Sequence, residues 1–403
     1  MKKNFKFIVT VLAFTLCFAA AAFGQRTSGN IEGTITDPNG AVVPNATVTA
    51  RSIGSTTGFS QTTTTNASGV FRFAQVPSGS YEITATGTGF KTSRREVVVS
   101  VDATANASAQ LEIGEQGVTV DVVASDTIQI DLGGTKVDTT IGQRVIEDLP
   151  SGNNFSSLLK IAPQVRPEAL GGGFQIDGAS GSENVFIIDG QEVTNFRTGS
   201  LDSNFNVPFE LVQEVQVKST GYEAEYGGAT GGIVNVVTRG GNNEWRGNFG
   251  ISFRPGQLQG DRREVLNKFD SANGPGTFEY YQPPSDGGTD YFPSFQFSGP
   301  IVKDRFWFQA TYAPQIFETT RTIDYYGTAN PNVNRIPTQT ISYNNRVTQE
   351  YANVRLDAAP IQKLRFFGTF LWNPQIQKGL LPSATEGLSA PQSVNFGGST
   401  GVF

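Results

Sequence analysis

The stretch YEAEYGGATGGIVNVVTRGG, residues 222–241, decides how the rest of the chain is interpreted. It places four glycines within six positions and continues at once into the apolar run IVNVV. Those glycines are Gly227, Gly228, Gly231 and Gly232. The β-branched residues that follow favour a strand, and only Asn235 and Thr238 interrupt its apolar character, which is typical of a strand covered on both faces. We therefore predict that the glycines permit turns and close backbone approach beside a buried strand.

Two kinds of ligand-binding loop also contain closely spaced glycines, but the residues that follow the glycines here fit neither of them. A phosphate-binding loop requires Lys and then Ser or Thr after its last glycine, whereas Ile233 follows Gly232. A dinucleotide fingerprint requires a helix after the glycines, whereas IVNVV favours a strand. Glu223 and Glu225 would share one strand face, so a glycosidase pair is a further alternative. Such carboxylates are more often ion-pair partners or solvated groups.

Composition narrows the class of protein. The chain has 403 residues, of which 16% are charged, compared with about 25% in average globular domains. This dilution of charge, together with 46 glycines, is typical of a β-rich surface or envelope protein. The net charge of -6 and the lack of a Lys/Arg cluster argue against a nucleic-acid partner. Histidine is absent, which excludes Ser-His-Asp and Cys-His catalysis and a His-ligated zinc. We predict a protein that is not an enzyme and needs no metal or cofactor.

Residues 1–24 have the pattern of an export signal peptide. A basic start precedes an apolar core over residues 7–18 and a small-residue end, which predicts cleavage before Gln25. An uncleaved membrane anchor is the alternative, but the apolar core is shorter than the roughly 20 residues that a spanning helix needs. The only cysteine, Cys17, lies in this segment. The mature chain is therefore predicted to have neither a disulfide nor a thiol.

Residues 28–114 alternate short period-two runs with turn clusters such as DPNG and NASG. Seven runs of this kind, with turns at these intervals, are typical of a small β-sandwich. One face of the fourth and fifth runs collects large apolar side chains and is predicted to form the core. Its residues are Phe71, Phe73, Tyr81, Ile83 and Ala85.

Two segments give this region a family resemblance. GTITDPNGAVVPNATVTA and TNASGVFRFAQVPSGSYEITATGTGFK resemble the carboxypeptidase regulatory-like domain, a transthyretin-like β-sandwich. The resemblance implies a periplasmic accessory module and not a protease. A generic immunoglobulin-like spacer stays open as an alternative, because seven short strands do not determine topology.

Residues 127–241 change from pure strands to a mixture of helix and strand. LPSGNNFSSLLKIAPQV predicts a short helix with Phe155 and Leu158 on one face. ENVFIIDGQEV predicts a hairpin that turns at Asp189. A second short helix is predicted after Pro208, and it leads into the alternating strand EVQVKS. Together these elements predict an α+β domain.

Three segments of this region, taken in order, resemble the plug of TonB-dependent receptors. They are LPSGNNFSSLLKIAPQV, NVFIIDGQEVTN and YEAEYGGATGGIVNVVTRGG. The resemblance implies a plug whose movement opens a route to the periplasm, with the four glycines and Asn235 as its structural motif. It also implies contacts between plug and barrel wall, for which Glu223, Glu225 and Arg239 are the candidates.

The linker 115–126 contains EQGVTVDVVAS, an extended alternating segment. Strand statistics alone favour a strand of the following domain. In TonB-dependent receptors, however, the segment before the plug carries the TonB box, which pairs by strand addition with the periplasmic energy-coupling protein TonB. The resemblance therefore makes the following residues candidates for the box. They are Val118, Thr119, Val120, Asp121, Val122 and Val123.

Residues 242–403 show the alternation of membrane-spanning strands, apolar toward lipid and polar toward the lumen. Five such strands are predicted, over residues 244–254, 290–301, 305–313, 352–358 and 364–372. The lipid-facing residues predicted for the first strand are Trp245, Phe249, Ile251 and Phe253. The connections are alternately long, at 255–289 and 314–348, and tight, which is typical of an outer-membrane barrel.

Five strands are too few to close a barrel, which needs an even number of at least about eight. An open sheet edge is not viable in lipid, so we expect the chain to be the N-terminal part of a longer protein. The order of sandwich, plug and truncated barrel resembles the Oar-like subgroup of TonB-dependent receptors. The predicted fold class is mainly β, with a transthyretin-like sandwich, an α+β plug and the first strands of an antiparallel transmembrane barrel.

The resemblance implies an outer-membrane receptor that imports an unidentified substrate with the energy of the inner-membrane proton gradient. Its partners would be TonB, outer-membrane lipid and an extracellular ligand, with sandwich and plug facing the periplasm of a Gram-negative bacterium. An outer-membrane adhesin or a secretion-linked assembly protein without active import stays open as an alternative. A secreted carbohydrate-binding β-protein is a third possibility.

Overall fold

The computed structural model describes residues 27–53, 58–114, 119–122, 137–148, 152–168, 173–222, 226–261, 263–271, 274–281, 285–325, 339–361, 364–382 and 400–402. The chain divides into two compact units. The first contains the residues up to Glu244 together with Gly299–Phe308 and Leu356–Phe367, and the second contains Trp245–Ser298, Gln309–Arg355 and Gly368–Phe403. Strands predominate in both, as the alternation in the sequence predicts. No helix in the described part of the chain is both long and apolar enough to cross a membrane.

The first unit begins with a sandwich of two sheets. Its strands are β1 (Ser28–Thr36), β2 (Thr47–Ser52), β3 (Ser60–Thr64), β4 (Val70–Pro77), β5 (Gly79–Thr86), β6 (Thr92–Val99), β7 (Thr104–Asn106), β8 (Ala109–Gln110) and β9 (Thr119–Val122). One sheet has the order β4-β1-β7, with β8 also paired to β1, and the other has the order β3-β2-β5-β6-β9. Each of the seven predicted runs contains a strand. The strand in the seventh run, β8, is the shortest of these.

The predicted sandwich core is confirmed. Phe71, Phe73, Tyr81, Ile83 and Ala85 are all buried in one apolar cluster. The two phenylalanines alternate with exposed or half-buried residues along β4, so one face of the strand faces the opposite sheet. The hydroxyl of Tyr81 donates a hydrogen bond of 2.8 Å to the carbonyl of Pro77, which satisfies the only polar group that this ring buries.

The plug region of the first unit has a five-stranded sheet with the order β10-β15-β16-β13-β14. The strands of this region are β10 (Val137–Gly142), β11 (Val165–Pro167), β12 (Phe174–Ile176), β13 (Val185–Ile188), β14 (Gln191–Glu192), β15 (Val212–Thr220) and β16 (Ile233–Thr238). Its helices are α1 (Gln143–Asp148) and α2 (Phe155–Leu158), the latter continued by a 3-10 turn over Leu159–Ile161. β16 pairs antiparallel with β15 and parallel with β13, and every one of its residues is buried.

The local predictions for the plug region hold. Phe155 and Leu158 are fully buried on the short helix α2. Asp189 and Gly190 both have positive φ, 49° and 83°, which is the backbone of a type I′ hairpin turn between β13 and β14. A 3-10 turn follows Pro208 and leads into β15.

The chain after Trp245 consists mainly of antiparallel strands. The strands from here to the end of the described chain are β17 (Arg246–Pro255), β18 (Val265–Ser271), β19 (Gly274–Tyr281), β20 (Thr289–Val302), β21 (Phe306–Tyr312), β22 (Gln315–Tyr325), β23 (Gln339–Gln349), β24 (Ala352–Ile361), β25 (Leu364–Trp372), β26 (Gln375–Lys378) and β27 (Thr400–Val402). The main sheet has the order β25-β24-β21-β20-β22-β23-β26-β27, with β17 paired to β20. All five predicted strands are present, as β17, β20, β21, β24 and β25.

The prediction that the two long connections are loops is wrong, because each contains a pair of strands. β22 and β23 form a continuous antiparallel ladder from Gln315↔Gln349 to Tyr325↔Gln339 inside the segment expected to be irregular. β18 and β19 form a separate two-stranded sheet inside the other long connection. The segment QIFETTRTIDY carries polar residues on both faces, so it lacks the apolar alternation on which the strand count depended. The predicted count of about five strands is therefore too low.

The apolar face predicted for the first wall strand is exposed along β17. Trp245, Phe249, Ile251 and Phe253 expose 57 to 64% of their surface. Phe295 and Phe297 of β20 are also exposed, and the ring centre of Phe249 lies 4.8 Å from that of Phe295. Since soluble surfaces rarely carry large contiguous apolar patches, this face requires an apolar partner or solvent.

The sandwich core generates a stability prediction. Phe71→Ala should lower the free energy of opening of strands β1 and β4 by about 3 to 5 kcal/mol, because it leaves a cavity between the two sheets. Amide hydrogen exchange of the detergent-solubilised protein measures this change. Val98→Ala on β6 is the control, since Val98 is 57% exposed and its truncation should change the same quantity by less than about 0.5 kcal/mol. Equal effects of the two substitutions would contradict the core assignment.

Candidate functional site

The candidate TonB box lies partly within the described residues. Thr119–Val122 form β9, whereas Val118 and Val123 lie outside them. β9 pairs in parallel with β6 of the sandwich, from Thr92↔Thr119 to Arg95↔Val122. The segment is therefore a strand of the preceding domain and not of the plug that follows. It ends the sheet order, so its outer edge carries no further strand among the described residues.

Two of the motif glycines occupy places where a side chain would collide. A Cβ on Gly231 would lie 2.6 Å from Oδ1 of Asn184, and a Cβ on Gly232 would lie 2.5 Å from the side chain of Ile176. The backbone amide of Gly232 donates a 2.8 Å hydrogen bond to the same Asn184 oxygen. The chain therefore enters β16 through a gap that only a bare backbone fits.

The other two motif glycines have different surroundings. Gly228 has a φ of 90°, a left-handed conformation that favours glycine, and a Cβ there would meet no atom within 4 Å. Gly227 likewise has no neighbouring atom within 4 Å of a Cβ, so sterics do not require glycine there. Tyr226, directly before them, is buried.

The predicted plug-to-wall residues are only partly described. Glu223 and Glu225 lie outside the described residues. The guanidinium of Arg239 donates to the carbonyl of Val212 at 3.1 Å and lies 3.4 Å from Oε1 of Glu147, both within the plug region. Burial lowers the pKa of Arg239, while the nearby carboxylates of Glu147 and Glu210 oppose that shift. A contact of these residues with a barrel wall stays a prediction.

Asn235, the polar residue in the buried strand, lies opposite Gln216 of β15 and Ile187 of β13. It is only 1% exposed, and neither its amide nitrogen nor its oxygen has a hydrogen-bond partner among the described residues. A buried unpaired amide costs stability. The side chain of Asn235 lies on the same face of the sheet as a set of buried polar residues on β15.

That set is the polar face of β15, namely Glu214, Gln216 and Lys218. All three are buried, although their neighbours Val215 and Val217 already supply an apolar face on the other side of the strand. We call these three residues the polar strip. In a strand, residues two positions apart share a face, so the alternation EVQVKS signals the strip but does not reveal what covers it.

The cover is a turn of the sandwich, residues 100–103, between β6 and β7. The amide of Val101 donates to Oε1 of Glu214 at 2.9 Å, and Nε2 of Gln216 donates to the carbonyl of Val101 at 3.1 Å. Nζ of Lys218 lies 2.7 Å from Oδ2 of Asp102, and both side chains are 0% exposed. The sandwich and the plug region are thus joined by hydrogen bonds and a buried ion pair.

Electrostatics at the polar strip follow from this burial. Removal from water, assisted by the nearby charge of Asp138, raises the pKa of Glu214, while hydrogen bonds from the Val101 amide and the Ser78 side chain lower it, and the resulting pKa is about 7. Nζ of Lys218 lies 4.2 Å from the ring centre of Tyr226, a distance suited to a cation–π contact. The residue before the glycines therefore covers the buried ammonium group.

Family models match two parts of the chain. The model described as the carboxypeptidase regulatory-like domain matches residues 30–112, and the model described as the TonB-dependent receptor plug domain matches residues 134–233. The matches fall within the predicted sandwich, 28–114, and the predicted plug, 127–241. The limits of these domains and of the linker stay predictions.

Similar proteins occur among curated sequences and among solved structures. The TonB-dependent transporter Oar of Myxococcus xanthus is 29% identical over 326 residues, a match that covers 78% of this chain and 29% of Oar. The chain thus spans less than a third of the length of this relative. Among solved structures, the outer membrane transporter YddB of Escherichia coli matches 60% of this chain and 33% of its own, with 19% identity and a TM-score of 0.45. A variant of the ferric enterobactin receptor PfeA of Pseudomonas aeruginosa matches the same shares of the two chains, with 17% identity and a TM-score of 0.39.

The glycine contacts predict a difference between two substitutions. Gly232→Ala should destabilise the plug sheet by about 1 to 3 kcal/mol, because the new methyl group overpacks against Ile176. Gly227→Ala is the matched control and should change stability by less than about 0.5 kcal/mol. Hydrogen exchange of the β16 amides measures both. A Gly232→Ala variant as stable as Gly227→Ala would show that the close approach is not required.

The raised pKa of Glu214 predicts a pH dependence of the contact between turn and strip. The extra stability is present below the ordinary carboxyl pKa of 4.5 and is lost as the pH rises to about 7, because over this range the carboxyl group ionises in the open state while burial keeps it protonated in the closed state. The free energy of opening at the Val101 amide should fall by up to about 1.4 kcal/mol for each pH unit across this window. Hydrogen exchange corrected for intrinsic rates measures it.

Glu214→Gln should flatten this profile, since the amide does not titrate. Glu96→Gln, which changes an exposed carboxylate of β6, should leave the profile as in the parent protein. A slope that survives in Glu214→Gln would assign the titration to another group.

Proposed function

We propose that this chain is part of an Oar-like TonB-dependent receptor with a role in energy-coupled import across the outer membrane. The proposed protein binds an extracellular ligand, engages TonB from the periplasm and opens a route past its plug with the energy of the proton gradient. It performs no covalent chemistry on the ligand.

The observation that carries this proposal is the order of parts along the chain. A carboxypeptidase regulatory-like domain comes first, a strand at the edge of its sheet follows, and a receptor plug domain comes next. An energy-coupling partner that acts on the plug from the periplasm needs an accessible segment directly before the plug, and β9 occupies that position.

β9 is suited to strand addition. Its inner edge pairs with β6, and an incoming strand would use backbone groups on its outer edge, so main-chain hydrogen bonds would dominate the affinity. Under this proposal a strand of TonB adds to the outer edge of β9 and extends the sandwich sheet β3-β2-β5-β6-β9 by one strand. Specific side chains at Thr119–Val122 then matter less than their backbone N–H and C=O groups.

The membrane location is supported by the exposed apolar side chains of the second unit. A row of aromatic and aliphatic groups along β17 and β20 remains uncovered within the described residues, which suits contact with lipid tails. We propose that these strands belong to the wall of an outer-membrane barrel and that sandwich and plug face the periplasm.

The proposal predicts a backbone-dependent interaction with TonB. The full-length protein in detergent should bind the purified periplasmic domain of TonB from the same bacterium. Successive amides of a strand point to opposite edges, so one of the two amides, that of Val120 or that of Asp121, points to the outer edge of β9. Proline lacks the amide hydrogen. Val120→Pro or Asp121→Pro, whichever removes the outward amide, should therefore weaken binding at least about tenfold. Biolayer interferometry measures the dissociation constants.

The matched controls are Val120→Ala and Asp121→Ala, which keep the backbone amide and should bind within about threefold of the parent protein. Deletion of residues 118–123 should abolish binding while export and folding persist. Binding that survives this deletion would remove the candidate box. No TonB binding, with ligand binding that persists after collapse of the proton gradient, would favour the adhesin alternative.

A further inference from the structure

The polar strip of β15 is built like a surface that spends part of its time in water. Along VQEVQVKST the apolar face is formed by Val215 and Val217, while the opposite face carries an acid, an amide and an amine. A strand that is permanently covered on both faces is usually apolar on both, as β16 is apart from Asn235 and Thr238. The composition of the strip therefore fits a face that is covered in one state and solvated in another.

The cover is firmly attached to the sandwich. Asp102 adopts a left-handed φ of 56° at the tip of the turn, and its amide donates to the carbonyl of Ser28 at 3.1 Å. The carbonyl of Ala103 accepts from the amide of Asn30 at 2.8 Å. Both bonds fix the turn to the start of β1, so the turn moves with the sandwich and separation occurs between the turn and the strip.

Burial distinguishes the two sides of this turn. Val99 is fully buried within the sandwich core. Val101 is also fully buried, but it is not a member of that core cluster, and its backbone bonds go to Glu214 and Gln216 of the plug region. Separation of turn and strip would thus expose Val101 and leave Val99 covered.

The energetics of the contact favour release. The attraction within a buried ion pair is largely offset by the cost of removing both charges from water, and that cost is recovered when the Lys218 and Asp102 side chains rehydrate together. Oε1 of Gln216 and the side chain of Asn235 have no hydrogen-bond partner among the described residues, so solvation would also satisfy these groups. An apolar interface of the same size would offer neither compensation.

We propose that the turn 100–103 is a releasable clamp, which holds the plug sheet through the polar strip at rest and separates from it when the plug moves. The inference rests on the proposed function, because it takes plug movement as its trigger. The clamp begins where β6 ends, and β6 is also the strand that holds β9. A partner that pulls on β9 therefore acts on the strand that carries the clamp.

Cysteine accessibility in living cells tests the clamp. Single cysteines are placed at Val101, Val99 and Val236 in the full-length protein freed of other cysteines, since Val→Cys is close to isosteric. Cells are treated with a biotin-maleimide that crosses the outer membrane, with and without a protonophore. The Val101→Cys variant should react with the maleimide roughly tenfold faster in energised cells than in cells that received the protonophore. Val99→Cys should stay protected in both.

The three positions separate the possible failures. Val236 lies on the face of the plug sheet opposite the strip, so faster labelling of Val236→Cys on energisation reports plug movement by itself. If Val236→Cys responds and Val101→Cys does not, the clamp is overturned and energy coupling stands. If Val99→Cys responds together with Val101→Cys, the sandwich unfolds as a whole and the clamp is overturned. If no position responds, both the clamp and the proposed function fail.

Discussion

The burial of β16 on both faces is the constraint on which the rest of the first unit depends. A strand with no exposed face needs space at its entry and hydrogen-bond partners for its buried backbone groups. Gly231 and Gly232 provide the space, because Asn184 and Ile176 stand where their side chains would be. The glycine cluster is therefore a packing requirement of one strand and not a loop that binds a ligand.

The need to pair buried polar groups also explains why the sandwich lies against the plug region. The neighbouring strand β15 carries a polar strip that could not be buried by apolar contacts without leaving Lys218 and Glu214 unpaired, which is costly. Asp102 and the backbone of Val101 supply the missing partners. The contact is thus specific but weakly stabilising for its area, a combination suited to domains that separate during a functional cycle.

Much of this architecture could be predicted from local sequence patterns. The sandwich core, the Asp189-Gly190 hairpin turn and the strand after the glycines each follow from alternation and turn chemistry within about ten residues. The hairpin of β22 and β23 was missed, because Thr, Arg and Asn on both faces leave no apolar period and the ladder is held by backbone pairing. The cover of the polar strip could not be predicted, since Asp102 and Lys218 are 116 positions apart and no local signal connects them.

The central claim is that one buried, coupled polar contact joins the sandwich to the plug. A double-mutant cycle on Asp102 and Lys218, read out as the opening free energy of the Val101 amide, tests it most directly. Asp102→Asn, which keeps a residue that tolerates the left-handed backbone of Asp102, and Lys218→Met should each destabilise the contact by about 3 to 5 kcal/mol, because each leaves a buried charge without its partner. The double variant should recover most of that loss. Losses that simply add would show that the two side chains are not coupled, and the account of a docked sandwich and plug would be contradicted.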